Sequence, residues 1–188
     1  LLLSLRLKYR IFAMKKHLPL LALALSAGAA VVAQPADLSK YVDPFIGTAD
    51  HGHVFLGANV PFGFIQAGPS QRVQGWDWCS GYHYSDSIIV GFSQTHLSGT
   101  GCGDLGDVRV DIDPRHDRER CTPGYYSVVL DKSGILAEMT ATERTASHRY
   151  TFAPADTAYI ILDLEYGIGW DRPADTRIIL ENDSTISG

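Results

Sequence analysis

Short segments in which apolar and polar residues alternate, separated by turn residues, constrain the fold of this chain most. Val108, Val110 and Ile112 alternate with charged neighbours, which is the period of a half-buried strand. Turns rich in Pro, Gly and Asp separate further predicted strands, which are Tyr125–Leu130, Ile135–Thr142, Ser147–Phe152, Tyr159–Leu164 and Arg177–Glu181. The sequence contains no long amphipathic helix and no internal repeat. It therefore predicts an all-β fold, an antiparallel β-sandwich.

The part of the chain before these strands is richer in glycine. Between His51 and Gly68, glycines and apolar residues alternate, and we interpret the segment as short strands and turns with Pro61 and Pro69 as breakers. Most of the following segment, up to Ile88, is predicted to be loop.

The first 33 residues are predicted to lie outside the folded domain. Residues 1–13 precede Met14 and are interpreted as an over-extended gene start. Residues 14–33 have a basic start, an apolar run and small residues before Gln34, which is typical of a secretory signal peptide. The predicted domain covers residues 34–188 of a secreted or periplasmic protein. A further strand begins at Ser184, so we expect the domain to be incomplete at its C-terminus.

Removing the leader makes the chain strongly acidic. Five of the 16 basic residues precede residue 34 and none of the 21 acidic ones does, so 11 basic residues remain and the net charge is −10. This sign disfavours nucleic acid or an anionic membrane surface as a partner. Three cysteines remain, Cys79, Cys102 and Cys121. An oxidising compartment allows a disulfide between two of them, and the sequence does not assign one.

The segment Gly75 to Asp107 is the candidate ligand-binding region. It holds two of the three Trp, two of the three Cys, and many Gly, Ser and Asp. Glycines allow backbone to approach a ligand closely, and the aromatic rings suit the faces of sugars or bases. In Trp76–Asp77–Trp78 and in Tyr82–His83–Tyr84, the two outer rings would share a face if the backbone were extended. A ligand platform and core packing both remain open for these aromatic residues.

The same region also contains residue types found in three other kinds of site. Gly101 to Gly106 matches the GxGxxG dinucleotide pattern, but a predicted strand follows it where a helix is required. Ser98, His96 and Asp104 have the residue types of a hydrolase triad, without the GxSxG context of a nucleophile elbow. A zinc site would use imidazole and thiolate ligands, drawn from His51, His53, Cys79, His83, His96 and Cys102. No CxxC or HExxH spacing supports zinc, and the sequence predicts no metal site.

Six ordered motifs resemble one family. They are YVDPFIGT (Tyr41 to Thr48), GANVPFGFIQAGP (Gly57 to Pro69), GWDWCSGYHYSD (Gly75 to Asp86), GFSQTHLSGTGCGD (Gly91 to Asp104), PGYYSV (Pro123 to Val128) and ATERTASHRYTF (Ala141 to Phe152). Together they resemble the N-terminal domain of glycoside hydrolase family 92, and the resemblance covers residues 41–188. One departure is Gln94, where we expect His in many members.

The resemblance implies a secreted or periplasmic enzyme that hydrolyses terminal α-mannosides with inversion. It implies an N-terminal β-sandwich joined to a larger C-terminal (α/α)6 barrel, which supplies both catalytic carboxylates and most of the calcium ligands. The present chain would then contain no catalytic residue. No pair of acids in the sequence has the signature of an inverting acid and base, which stand roughly 6.5–9.5 Å apart.

The motifs also imply which residues contact a mannose-containing glycan. The candidate substrate-binding residues are Trp76, Asp77, Cys79, His83, Thr95, His96, Ser98 and Gly99. Trp76 is expected to stack on sugar carbons, and His83 and His96 to hydrogen-bond hydroxyls. The alternative is a free-standing carbohydrate-binding module without catalysis.

Overall fold

The computed structural model describes residues 36–72, 74–96, 118–130, 133–154, 158, 160–167 and 172–188. The chain divides into two units, residues 1–37 and Leu38–Gly188, and the fold described below is that of the second. The predicted gene start (1–13), signal peptide (14–33) and Val108–Ile112 strand lie outside the described residues. Among the described residues, no helix is long and apolar enough to cross a membrane.

Nine strands form three antiparallel sheets in the part of the chain that the structure describes. The bounds in chain order are β1 Ala58–Asn59, β2 Gln66–Ser70, β3 Gly91–Ser93, β4 Glu119–Thr122, β5 Tyr125–Val129, β6 Leu136–Ala141, β7 Ala146–Thr151, β8 Ile179–Asn182 and β9 Thr185–Ser187. The sheet orders are β1-β2-β3, β4-β5-β6-β7 and β8-β9. Two short 3₁₀ helices, Ser39–Tyr41 and Trp76–Trp78, complete the described secondary structure. The all-β, antiparallel prediction is confirmed.

The first two sheets share one hydrophobic core. Tyr126 pairs with Met139 and Val128 with Ala137 across β5 and β6, and all four side chains are buried. Phe92 of β3 reaches this layer, with its ring centroid 6.3 Å from that of Tyr126. The core continues through further buried residues, which are Leu56, Ala58, Ile65, Ala67, Tyr82, Ile89, Cys121 and Leu130. Residues of both sheets therefore contribute to one core.

The predicted strands agree with the structure where apolar and polar residues alternate and short turns join consecutive strands. β5, β6 and β7 lie within one or two residues of the predicted Tyr125–Leu130, Ile135–Thr142 and Ser147–Phe152 strands. β8 starts two residues later than the predicted Arg177–Glu181 strand, and the strand expected after Ser184 is β9. Local pairing explains this success, because consecutive antiparallel strands need only a short turn between them.

Two expectations are wrong, and two features were not predicted. Residues 160–164 of the predicted Tyr159–Leu164 strand show only an isolated bridge at Asp163. Pro69 does not break a strand but lies inside β2, opposite Phe92. β4 was not predicted, since Cys121 is its one apolar residue and gives no alternation. The Trp76–Trp78 triplet forms a 3₁₀ helix within the segment predicted to be mostly loop, so the condition for its two indoles to share a face, an extended backbone, is not met.

Candidate functional site

A tight turn between Gly47 and Val54 forms one side of the candidate site. The Val54 N–H donates to the Gly47 carbonyl over 3.3 Å. A Cβ on Gly52 would lie 1.9 Å from that carbonyl oxygen, so only glycine fits there. Buried Thr48 anchors the turn, because its Oγ1 donates to the Phe45 carbonyl (2.8 Å) and its own carbonyl accepts from Tyr84 N–H (2.8 Å). The turn is therefore held at both ends by backbone contacts.

Two histidines of this turn converge on one carboxylate. Asp77, in the Trp76–Trp78 helix, places Oδ1 2.8 Å from His51 Nδ1 and 2.9 Å from His53 Nε2. Asp50 and His53 have φ values of 53° and 54°, a left-handed conformation that is uncommon outside glycine. The hydrogen bond to His51 lowers the pKa of Asp77, and the same bond raises the pKa of His51. Asp77 is thus an ionised carboxylate at neutral pH.

The aromatic residues of the region divide into surface and core. The Trp76 indole is 57% exposed, and its edge contacts the His53 ring with centroids 5.5 Å apart at 73°. Tyr82 is 1% exposed and belongs to the core, whereas Tyr84 is half exposed. Trp76 and Tyr84 both have the exposure that a ligand platform needs, and Trp76 also lies next to the ionised carboxylate of Asp77.

Trp78 and His83 form a stacked pair behind this surface. Their ring centroids are 4.3 Å apart and the rings are 22° from parallel. His83 Nε2 lies 3.1 Å from the Asp50 carbonyl oxygen, and its Nδ1 lies 2.8 Å from Ser85 Oγ. His83 is buried and links the histidine-containing turn to the Tyr82–Ser85 loop.

Buried polar side chains hold this loop to the sheets. Gln71 follows β2, accepts the His83 N–H through Oε1 (2.5 Å) and donates to the Asp86 carbonyl (3.3 Å). The Tyr82 hydroxyl donates to Glu119 of β4 over 3.0 Å, and the Tyr126 hydroxyl donates to the other oxygen of the same carboxylate. Burial is the main cause that raises the pKa of Tyr126, so this hydroxyl remains a donor. The candidate site is therefore tied to both core sheets.

His96 lies deeper than the other histidines. It is 3% exposed, its Nε2 lies 2.5 Å from Ser93 Oγ, and its ring centroid lies 4.7 Å from that of Phe55. The Ser80 backbone also forms a hydrogen bond with the His96 ring. Among the described residues, Trp78 Nε1 is buried without a hydrogen-bond partner. Burial lowers the pKa of His96 to about 4, so the imidazole is neutral at physiological pH.

The remaining candidate substrate contacts differ in accessibility. Cys79 is buried, and its thiol has a pKa that burial raises. Cys79 and Cys121 are both free thiols. Thr95 is half-buried. Ser98 and Gly99 lie outside the described residues, as do Cys102 and Asp104.

The structure brings together a cluster of potential metal ligands that the sequence indicated only in part. In the described part of the chain, one group of three potential metal ligands comes together, His51, His53 and Asp77, with donor atoms all within 4.8 Å of one another. Cys79, His83 and His96, considered for zinc, are not members. The HxH pattern was the available signal, although these histidines lie in a turn and not on a strand. His53 also lines a surface cavity of about 520 Å³.

The sequence and the fold of this chain are similar to those of known glycosyl hydrolases. Residues 41–111 and 111–188 match the profile of the glycosyl hydrolase family 92 N-terminal domain. A solved α-mannosidase of family GH92 from Bacteroides thetaiotaomicron, in complex with mannoimidazole, is 36% identical with a TM-score of 0.66. A second solved glycosyl hydrolase of the GH92 family is 29% identical with a TM-score of 0.60. An uncharacterized secreted glycosidase from Arthroderma benhamiae is 33% identical.

The matches cover most of this chain but a small part of each relative. Both solved structures are matched over 69% of this chain and 20% of their own chains. The Arthroderma benhamiae protein is matched over 62% of this chain and 17% of its own length. The chain thus spans a fifth or less of the length of these relatives.

Proposed function

Because the chain belongs to the N-terminal domain of glycosyl hydrolase family 92, we propose that the complete protein is a secreted or periplasmic α-mannosidase. It would remove terminal α-mannose from glycans with inversion. This chain would supply residues to the substrate pocket, and a C-terminal (α/α)6 barrel would supply the catalytic carboxylates. The mannoimidazole complex of the 36% identical α-mannosidase supports a mannoside as the substrate. The secreted relative supports the location.

The observation that carries the pocket role is the exposed Trp76 indole beside ionised Asp77. An indole face packs on the C–H face of a sugar, and a carboxylate accepts hydrogen bonds from its hydroxyls. His53 fixes the Trp76 ring from the edge, so the indole would be oriented before substrate binds. Preorganisation of this kind reduces the entropy lost on binding.

Electrostatics favour a binding role over acid catalysis for two of the described carboxyls. A general acid in a glycosidase needs a raised carboxyl pKa. Two described carboxyls have clearly shifted pKa values, Asp77 and Glu138, and both are lowered by hydrogen bonds to His51 and Arg149 respectively. These carboxylates are suited to accepting hydrogen bonds and not to donating a proton.

Calcium is expected to bind elsewhere in the complete enzyme. Calcium takes six to eight oxygen ligands in proteins. The His51–His53–Asp77 cluster offers two imidazole nitrogens and one carboxylate, which does not fit calcium. The proposal therefore assigns calcium mainly to the C-terminal barrel.

The test is turnover of an aryl α-mannoside by the complete gene product with calcium and after its chelation. Trp76→Ala and Asp77→Asn should each lower kcat/KM roughly 5- to 150-fold, since a lost sugar contact costs about 1–3 kcal/mol. Tyr41→Ala is the matched control, because this ring is 76% exposed in the other 3₁₀ helix and should leave kcat/KM unchanged. Mannoside binding without any turnover would instead identify a carbohydrate-binding module. Unchanged kcat/KM in both site variants would refute the pocket role.

A further inference from the structure

We propose that His51, His53 and Asp77 bind a divalent transition-metal ion of the zinc class, at a site distinct from the calcium site proposed above. The three donor atoms lie within 4.8 Å of one another. They come from two segments separated by more than 20 residues, the Gly47–Val54 turn and the Trp76–Trp78 helix. Two imidazoles and one carboxylate form a ligand set that zinc uses in proteins.

The distances fit an ion with a small adjustment. Zinc–nitrogen and zinc–oxygen bonds of about 2.0–2.1 Å at tetrahedral angles separate neighbouring donor atoms by roughly 3.3 Å. In the metal-free arrangement, Asp77 Oδ1 lies 2.8 Å from His51 Nδ1 and 2.9 Å from His53 Nε2. Opening each separation by about half an ångström would admit the ion. Each ring nitrogen would give up its hydrogen bond to the carboxylate, its proton would move to the other ring nitrogen or to solvent, and its lone pair would bind the metal.

The surroundings preorganise two of the three ligands. The His53 side chain is 10% exposed and that of Asp77 is 27% exposed, and the edge contact with Trp76 restrains the His53 ring. Left-handed backbone at His53 costs free energy for a non-glycine residue and directs its ring toward Asp77. Ligands held in place before binding lose little conformational entropy when the ion arrives.

The remaining coordination positions would face solvent. The His51 side chain is 83% exposed, so the cluster is open on that side. Three protein ligands with an open position are the pattern of a zinc site that also binds water or a ligand. The ion would lie beside the exposed Trp76 face. It would clamp the Gly47–Val54 turn to the helix that carries Trp76.

The chemistry distinguishes this site from a calcium site. Imidazole nitrogen binds zinc, copper and nickel well, whereas calcium and magnesium prefer oxygen. Excess calcium should therefore not displace the ion. Metal binding can be measured without any glycan, which separates this proposal from the mannosidase proposal.

The experiment uses the complete gene product, stripped with a chelator and returned to excess calcium. It is titrated with Co²⁺, followed by visible absorption, and with Zn²⁺, followed by calorimetry. Wild-type protein should bind one ion of either metal per chain at this site. His53→Gln and Asp77→Asn should each weaken binding roughly 100-fold or more, since loss of an outer partner alone costs 10–100-fold.

Asp50→Asn is the matched control. The substitution removes one negative charge from the same turn, and Asn tolerates the left-handed φ of 53° at this position. Asp50 is not one of the three clustered residues. The affinity of the Asp50→Asn variant for Co²⁺ and Zn²⁺ should stay within a few-fold of that of wild type. The proposal is overturned if wild-type protein takes up no Co²⁺ or Zn²⁺. It is also overturned if Asp77→Asn binds like wild type, or if Asp50→Asn weakens binding as much as Asp77→Asn does.

Discussion

Acidification should destabilise the domain through His96. Burial lowers the pKa of His96 from 6.5 to about 4. Since the unfolded chain binds a proton below pH 6.5 and the folded chain does not until about pH 4, unfolding takes up a proton in this window. The stability that the neutral imidazole contributes is therefore present above about pH 6.5. It is lost progressively as the pH falls toward 4.

The size of this effect follows from the pKa difference. One pKa unit corresponds to about 1.4 kcal/mol, so a depression of this size is worth about 3 kcal/mol between pH 6.5 and 4. Below about pH 4 both states are protonated, and the contribution of His96 no longer changes. A loss of this size is a large fraction of the stability of an ordinary domain.

The assay is urea unfolding of wild-type protein and of His96→Gln at intervals from pH 7.5 to 3.5. Gln keeps a polar group near Ser93 Oγ but does not titrate. The wild-type advantage in free energy of unfolding should shrink by about 3 kcal/mol as the pH falls through the window. Ser93→Ala is the control, because it removes the 2.5 Å contact to His96 Nε2 but leaves the imidazole buried. It should be less stable at every pH while keeping the wild-type slope.

A constant difference between wild type and His96→Gln would refute the reasoning. It would mean that the pKa of His96 is the same in the folded and unfolded states, so that burial does not depress it. Burial lowers this pKa, whereas a hydrogen bond with the Ser80 backbone raises it. The experiment therefore tests burial against hydrogen bonding as the determinant of the His96 charge.

Two further perturbations test how the site is held. Glu119→Gln removes the charged acceptor of two tyrosine hydroxyls. It should lower the free energy of unfolding, measured in urea, by about 1–3 kcal/mol. An unchanged free energy of unfolding would show that these hydrogen bonds do not stabilise the contact between the sheets. Gly52→Ala places a Cβ 1.9 Å from the Gly47 carbonyl oxygen and should cost about 1–3 kcal/mol of overpacking. Gly75→Ala, with no atom within 4 Å of the added Cβ, should change stability by less than about 0.5 kcal/mol, and equal effects of the two glycine variants would contradict the steric argument.

The sequence was most informative where neighbours in the chain are also neighbours in space. β5, β6 and β7 were predictable because alternation marks a half-buried strand and short turns pair consecutive strands. The same reasoning failed for β4, although the Pro123–Gly124 turn before β5 was recognised. The register pairs Cys121 with Tyr126 of β5. Pairing with β5 therefore decides which face of β4 is buried, and the sequence of β4 shows no alternation that would reveal it.

Pro69 shows the limit of local rules for strands. Proline lacks the N–H that a strand ladder uses, and it was interpreted as a breaker for that reason. In the fold it lies in β2 opposite Phe92 of β3, and the β1 register reaches only Gln66 and Ala67, so no β1 residue pairs with Pro69. Neighbouring residues provide the pairing around it. Whether the strand accepts a proline at position 69 depends on how the sheet is paired there. The residues next to Pro69 in the sequence do not show it.

The sequence by itself determined the fold class and the family. Strand alternation is a local pattern, and the ordered motifs from Tyr41 to Phe152 are carried by the chain itself. Only the tertiary structure decided which of the polar residues meet. His51 and His53 converge on Asp77 because a left-handed turn and a short helix face each other across the fold. Spacing along the chain does not encode such a contact, since it depends on how the core sheets place both segments.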